Sequence, residues 1–487
     1  MRLTDKEQSE TEPMSSRRNA LRLIGGAALG GMAGCLGGDD QTQTPSETTA
    51  TGNGNTTAKT TASGYPDLSG QEVHFLTSDT SEAAQNYWNG VRSDFESATG
   101  ATVNIEFGGF ADEGIIGRIT SLIQAGDPPE VAELGIVPAS SFLTEDALAT
   151  LDDAMETISE RYGEPTPAKR IVLDGSSYNI PLKSSYLTMW YRSDLNDIRP
   201  DSFDSAMNYA QTVDENVEGV RGTYYPTGTG LHALLNHMGW AYARGTTLMR
   251  RSGGTLESNL QNDSEVWTEI LEYARSLHEY SPVSTDSGFG SLINAIHTEN
   301  AASNPYIGVR PKNYSIENEK PWADQVEPVL GMPEHPDASG TQKTIVGGGG
   351  FVSFVGADNE AANEWMKFVT EPDRYIDLFS VFAPVHYTAP WPGLKEMDAY
   401  WTNLRDAAAP EWSDEQIRRV QYDIPEQTEL TNLVNEVEPP NALTGPIVGN
   451  NVIEQMFQEV LVRDRDIATV IDNTHSEINS LIEEAQN

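Results

Sequence analysis

Residues 72–107 read EVHFLTSDTSEAAQNYWNGVRSDFESATGATVNIEF and hold two hydrophobic periods side by side. Val73 and Phe75, then Val103, Ile105 and Phe107, alternate with polar neighbours as half-buried strands do. Between them Ala84, Tyr87, Trp88, Val91 and Phe95 recur at the spacing of one helix face, so the stretch predicts a β-α-β unit. A second helix follows, with Ile115, Ile116, Ile119, Leu122 and Ile123 on one face, and Gly126 before a proline pair stops it. Strand and helix patterns then alternate to the C-terminus, where 467–485 reads as a closing amphipathic helix. The fold class expected is α/β.

Upstream of this unit the composition changes. Arg17-Arg18, a glycine-rich apolar run over 21–34 and Cys35 stand in that order, a pattern similar to a twin-arginine export signal ending in a lipobox. The run is shorter than the roughly 20 residues that span a bilayer, so residues 1–35 read as a processing segment. Cys35 would carry a lipid on the outer face of the cytoplasmic membrane. It is the only cysteine, which excludes a disulfide framework and a cysteine-based metal site. Residues 36–66, rich in Thr, Ser, Gly and Gln, offer little to bury and read as a disordered tether.

Seventy-three acidic against 31 basic residues give a net charge of -42, spread along the chain. Such self-repulsion opposes a compact state in dilute salt, whereas molar salt shortens the Debye length to about 3 Å and makes the surface tolerable. A halophilic source follows. No basic stripe is present to displace counterions from phosphates, which excludes a nucleic-acid partner.

Several strings in the body carry a resemblance. Residues 95–100 with Val103-Asn104-Ile105, the Gln124–Val131 turn, Tyr178-Asn179-Ile180-Pro181, 190–195 and 361–368 occur in the order and spacing of one family. The chain resembles the extracellular solute-binding proteins of ABC importers, in the carbohydrate-binding, maltose-binding-protein-like branch, here of haloarchaeal type. The resemblance implies a two-lobe, type II fold with a ligand cleft between the lobes. It implies lobe 1 over 67–180, lobe 2 over 181–330, a return segment over 331–395 that re-enters lobe 1 near Gly347 to Val355, and a C-terminal segment, 396–487, packing mainly on lobe 2. The implied partners are a small-molecule solute, a sugar by the family's default, and the permease subunits, with the binding protein itself a monomer.

The same resemblance places candidate ligand-binding residues on loops at strand ends, where free polar groups face the crevice. Ser78 and Asp79 follow the first strand, although Asp79 or Ser81 could simply cap the next helix. Glu133 follows Val131, with an ordinary surface acid as the alternative. Lys183, Ser184, Ser185 and Tyr186 lie at the lobe crossing; Thr227 and Thr229 lie in a loop whose glycines could equally serve a tight turn. Arg310 stands where relatives touch ligand, and its planar fork, with the charge of Lys183, would suit an anionic sugar derivative such as a sugar acid or glycerol phosphate. The alternative is that both cations form internal ion pairs. Gly349, in the run Gly347–Gly350, reads as a hinge or a close backbone contact; no lysine follows in the P-loop pattern. Trp391 could stack on a sugar ring or belong to the core, being one of 9 tryptophans.

The rival reading is a secreted glycoside-active enzyme. Among so many acids, carboxylate pairs discriminate nothing, and neither a G-x-S-x-G elbow nor an H-E-x-x-H pair occurs. His232 and His237 are five apart, off the i, i+4 face of a helical metal pair. The expectation is a binding protein with no catalytic residue, cofactor or metal. The charge generates a first prediction: on dilution from molar salt to tens of millimolar, the circular-dichroism signal and melting temperature should collapse. A fold that is retained in dilute buffer would contradict the halophilic reading.

Overall fold

The computed structural model describes residues 64–108, 112–143, 146–282, 289–338, 342–357, 359–381, 384–441 and 443–486. The export signal, Cys35 and nearly all of the proposed tether lie outside these residues. In chain order the elements that build the cleft are β1 (Glu72–Thr77), α1 (Glu82–Thr99), β2 (Thr102–Phe107), α2 (Asp112–Ala125), β3 (Val131–Gly135) and α3 (Ile136–Ser140). Then come β4 (Ile180–Pro181), β5 (Ser185–Arg192), α4 (Leu231–Arg244), β6 (Ser303–Ile307) and α5 (Arg310–Glu317). The C-terminal part contributes β7 (Lys343–Gly347), β8 (Gly349–Val352), β9 (Glu429–Thr431), α6 (Val452–Leu461) and α7 (Ile467–Gln486).

The opening β-α-β unit forms as its periods require. Ser81 caps α1 by accepting from the Ala84 amide, and Gly100 ends it at φ 77°. β1 pairs in parallel with β2, Val73 beside Val103, and with β3, Phe75 beside Val131. Side chains alternate across this sheet. Phe75 joins Trp88, Phe95, Phe351 and Trp365 in one aromatic core, with Phe75 and Trp88 centroids 4.8 Å apart in an edge arrangement. Leu76 instead faces a second core shared with α2, α3 and the other lobe.

Two five-stranded sheets define the two lobes of this type II α/β fold, the fifth strand of the second being Val326–Pro328, which pairs with β5. The first runs β2-β1-β3-β8-β4 and the second β6-β5-β7-β9. β8 lies antiparallel to β3, with Phe351 opposite Glu133, and β4 closes the edge with Ile180 opposite Phe351. In the second sheet β5 lies between β6 and β7, both antiparallel to it, and β9 is parallel to β7.

The chain therefore crosses between the sheets three times: from β4 to β5 through Lys183, from β7 to β8 through Gly348, and back to the second sheet between β8 and β9. The return segment expected from residue 331 enters the first sheet at Gly348, because Lys343–Gly347 is still a strand of the second sheet. The helix Asp398–Ala407, expected with lobe 2, places Tyr400 and Leu404 in the first-lobe core, while α6 and α7 pack within the second. At the other end, Tyr65 already docks on the first lobe: its hydroxyl donates to Glu371 at 2.6 Å and its ring meets the Phe368 edge.

The crossing is crowded. The amides of Leu182 and Lys183 donate to the Gly349 carbonyl at 3.1 and 3.0 Å. Ser184 and Thr388 exchange both backbone hydrogen bonds, so a third segment lies alongside. The buried Lys169 ammonium donates to the carbonyls of Gly347 and Gly348 at 2.9 and 2.8 Å. Gly348 has φ 92°, and a methyl group there would run into the Lys183 carbonyl. Gly126, at φ 78°, has open space around it. Gly126→Ala should therefore cost about 1–2 kcal/mol from its backbone angle alone. Gly348→Ala should lose about 3 kcal/mol or more, since strain and overpacking add. Equal melting temperatures for the two variants would show that the crossing tolerates a side chain.

Candidate functional site

Between the sheets lies a cavity of about 140 Å³, lined by loops from both lobes. Its first-lobe floor is an ion cluster. Lys183, 3% exposed, reaches back from the crossing to Asp79 at the end of β1 and to Glu133 Oε1 at 2.6 Å. Thr77 Oγ1 donates to Glu133 Oε2 at 2.8 Å, and the Lys183 ammonium also sits 4.5 Å from the Tyr387 ring centroid. Gly349 belongs here because a side chain at that position would occupy the space of the Glu133 carboxylate.

Burial shapes the charges of the cluster. Desolvation, reinforced by the Asp79 charge, pushes Glu133 up to about 7 against the pull of Lys183. Desolvation alone would lower Lys183, but Asp79 and Glu133 outweigh it and hold the ammonium well above its ordinary value. The lysine is thus a fixed cation whose charge is spent on two carboxylates. An internal ion pair, the alternative reading for Lys183, is what forms.

The second lobe presents Arg310, the first residue of α5, beside Tyr306, His232 and His386. His232 stacks on Tyr306 with planes 5° apart. The Val309 amide donates to His386 Nδ1 at 3.2 Å, which leaves the ring proton on Nε2 as a donor. Burial, with the Arg310 charge second, lowers His232 to about 4; burial, Arg310 and Lys183 hold His386 well below its usual range. Both rings are therefore neutral at physiological pH. The site combines fixed acceptors, fixed donors and tyrosine rings, an arrangement that can hold a polar solute without reacting with it. Among the described residues no group of three or more His, Cys, Asp or Glu side chains is placed to hold a metal ion.

Ser78, Asp79, Glu133, Lys183, Ser185, Arg310 and Gly349 all line the cavity. Five other candidates do not. Ser184 and Tyr186 alternate with Lys183 and Ser185 along the start of β5, so they point away; Tyr186 packs with Ala168, Val346 and Ile424. The Thr227 carbonyl accepts from Gln458 of α6 at 2.7 Å, and Thr229 is exposed. Trp391 is wholly buried against Tyr162, its Nε1 donating to the Pro181 carbonyl at 2.7 Å. Sequence reasoning missed Tyr306, Tyr387, His386 and His232. Tyr306 lies four residues before Arg310, which also lines the cavity, and Tyr387 four residues before Trp391, which does not.

With this geometry in view, the sequence matches the profile of the bacterial extracellular solute-binding proteins over residues 91–410. No individual curated protein matches it. Among solved structures, the fold is similar to an ABC transporter solute-binding protein of Thermotoga lettingae bound with α-D-tagatose, at 15% identity and TM-score 0.66, covering 85% of this chain and 100% of that one. It is similar to T. maritima MalE3 with maltose bound, at 15% identity and TM-score 0.67, covering 84% and 99%. It is also similar to UgpB of Mycobacterium tuberculosis in complex with glycerophosphocholine, at 15% identity and TM-score 0.67, covering 86% and 100%. With its profile match spanning most of the two-lobed body, the chain belongs to the bacterial extracellular solute-binding proteins.

Proposed function

We propose that this protein captures a sugar or related small solute outside the cell and delivers it to an ABC permease, without covalent chemistry. The observation that carries the reading is the cavity itself, whose polar groups come from both lobes and converge on one small volume. A ligand there touches both sheets, so it favours the closed arrangement over the open one, the differential that drives closure. The ligands of the structural neighbours, tagatose, maltose and glycerophosphocholine, support a polyol class.

A neutral solute fits better than an anionic one. The anionic alternative drew on two cations, and the Lys183 charge is already met by Asp79 and Glu133. Those two carboxylates would also repel an acid. Arg310 alone then favours a sugar acid or glycerol phosphate. In keeping with the N-terminal pattern, the protein would hang as a monomer from the outer face of the membrane through a lipid on Cys35, exported by the twin-arginine route. Among the described residues no helix is long and apolar enough to cross a membrane, which is compatible with such an anchor. The charge of -42 supports a halophilic source.

Calorimetry in molar salt, pairing neutral monosaccharides with their uronic acids and phosphate esters, tests the ligand class. The best neutral sugar should bind at least tenfold more tightly than its acid, about 1.4 kcal/mol. The reverse order would reinstate the anion. For the anchor, a Cys35→Ser chain should appear in the medium with its solute affinity intact; continued membrane association would refute lipidation.

A further inference from the structure

Two groups in the cavity lining are each held together by their own contacts, with Arg310, His232, His386 and Asn432 as further polar lining beside them. Asp79, Glu133 and Lys183 are joined by ion pairs. Ile136 and Val137 of α3, Leu231 and Leu235 of α4, Ile307 at the end of β6 and Ile345 of β7 also line it, and these six pack into one continuous hydrophobic cluster. Leu231 and Leu235 share a helix face at i, i+4, so the first turn of α4 gives its apolar side to the cleft.

This division constrains the ligand. A hydroxyl placed against the aliphatic wall gives up its hydrogen bonds to water and receives none in return. A bare polyol, hydroxylated all round, would lose affinity on that side. The usual remedy for a sugar ring, a broad aromatic plane under its C–H face, is restricted here. Among the described residues no tryptophan lines the cavity, and the two tyrosines that do each have one face occupied, Tyr306 by His232 and Tyr387 by Lys183. An aliphatic or aryl group on the ligand would instead remove apolar surface from water on both partners. The volume, about 140 Å³, admits on the order of ten water-sized spheres, comparable to one sugar ring with a short substituent.

We propose that the solute is a ring-sized polyol bearing a short aliphatic or aryl substituent. Its hydroxyls meet the Asp79–Lys183–Glu133 cluster, and its substituent lies on the wall formed by Leu231, Leu235 and Ile307. This inference rests on the small-solute reading of the same cleft.

The experiment is calorimetry on the full chain in molar salt, using free hexoses and pentoses, each paired with its methyl, propyl and phenyl glycosides in both anomeric forms. At least one substituted ligand should bind tenfold or more tightly than its parent, with a more negative heat-capacity change. Parents that bind as well as or better than every substituted partner would overturn the inference and leave the small-solute reading in place. Failure of both series to bind would overturn both. In Leu231→Ser, at a half-buried position, the preference for the substituted ligand should shrink at least fivefold. Ile307→Thr provides the same readout should Leu231→Ser melt early. An undiminished preference in a folded variant would show that the wall does not touch the substituent.

Discussion

One contact fixes the relation between the two lobes: Gly348 passes so close to the Lys183 carbonyl that neither crossing strand has room for a side chain between them. Lys183 then serves two structures at once. Its backbone is part of the crossing, and its ammonium organises the cleft floor by holding Asp79 and Glu133 together. Those two carboxylates come from the loop just after β1 and from the middle of β3, neighbours in the parallel part of the first sheet. The register of that sheet, the position of the crossing and the polarity of the binding surface are consequently coupled through one residue.

The same economy explains why a chain so rich in acids buries lysines. Lys169 binds the Gly347 and Gly348 carbonyls, and Lys312 donates to those of Ala323, Asp324 and Val326 at 3.1 to 3.2 Å. These carbonyls lie where the backbone turns away from regular pairing, and each needs a donor. An ammonium supplies three from a single side chain. Desolvation, chiefly, lowers Lys169 to about 7 and Lys312 to about 8, so burial disfavours the ammonium form at both positions.

Much of this was legible in the sequence where local periodicity and turn chemistry decide. The β-α-β unit, the stop at Gly126 and the last helix all follow from spacing that needs no tertiary information. The cleft floor was legible too, since Ser78 and Asp79 directly follow one strand and Glu133 lies within its neighbour. Strand alternation could have separated Lys183 and Ser185 from Ser184 and Tyr186. Trp391 could not have been placed in this way: whether an indole faces a ligand or a core depends on what lies 210 residues away at Pro181. Re-entry near Gly347 to Val355 was legible, but the bound of the return segment at 331 was set too early for a similar reason. Nothing between 331 and 347 distinguishes a strand of one sheet from a strand of the other until its partners, β5 and β9, are known.

The two kinds of lining residue also differ in how freely they can change. Lys183, Glu133 and Gly349 are interlocked with the crossing, so altering any of them disturbs the union of the lobes as well as the ligand surface. Leu231 and Arg310 open helices α4 and α5, and Ile136 opens α3; each projects from a first turn whose backbone is satisfied independently of that side chain. A scaffold built this way can keep its polar anchor constant while the residues at these helix starts change. New solute preferences would accumulate there first, and descendants of this chain that bind different molecules would be expected to share their crossing and differ in their helix starts.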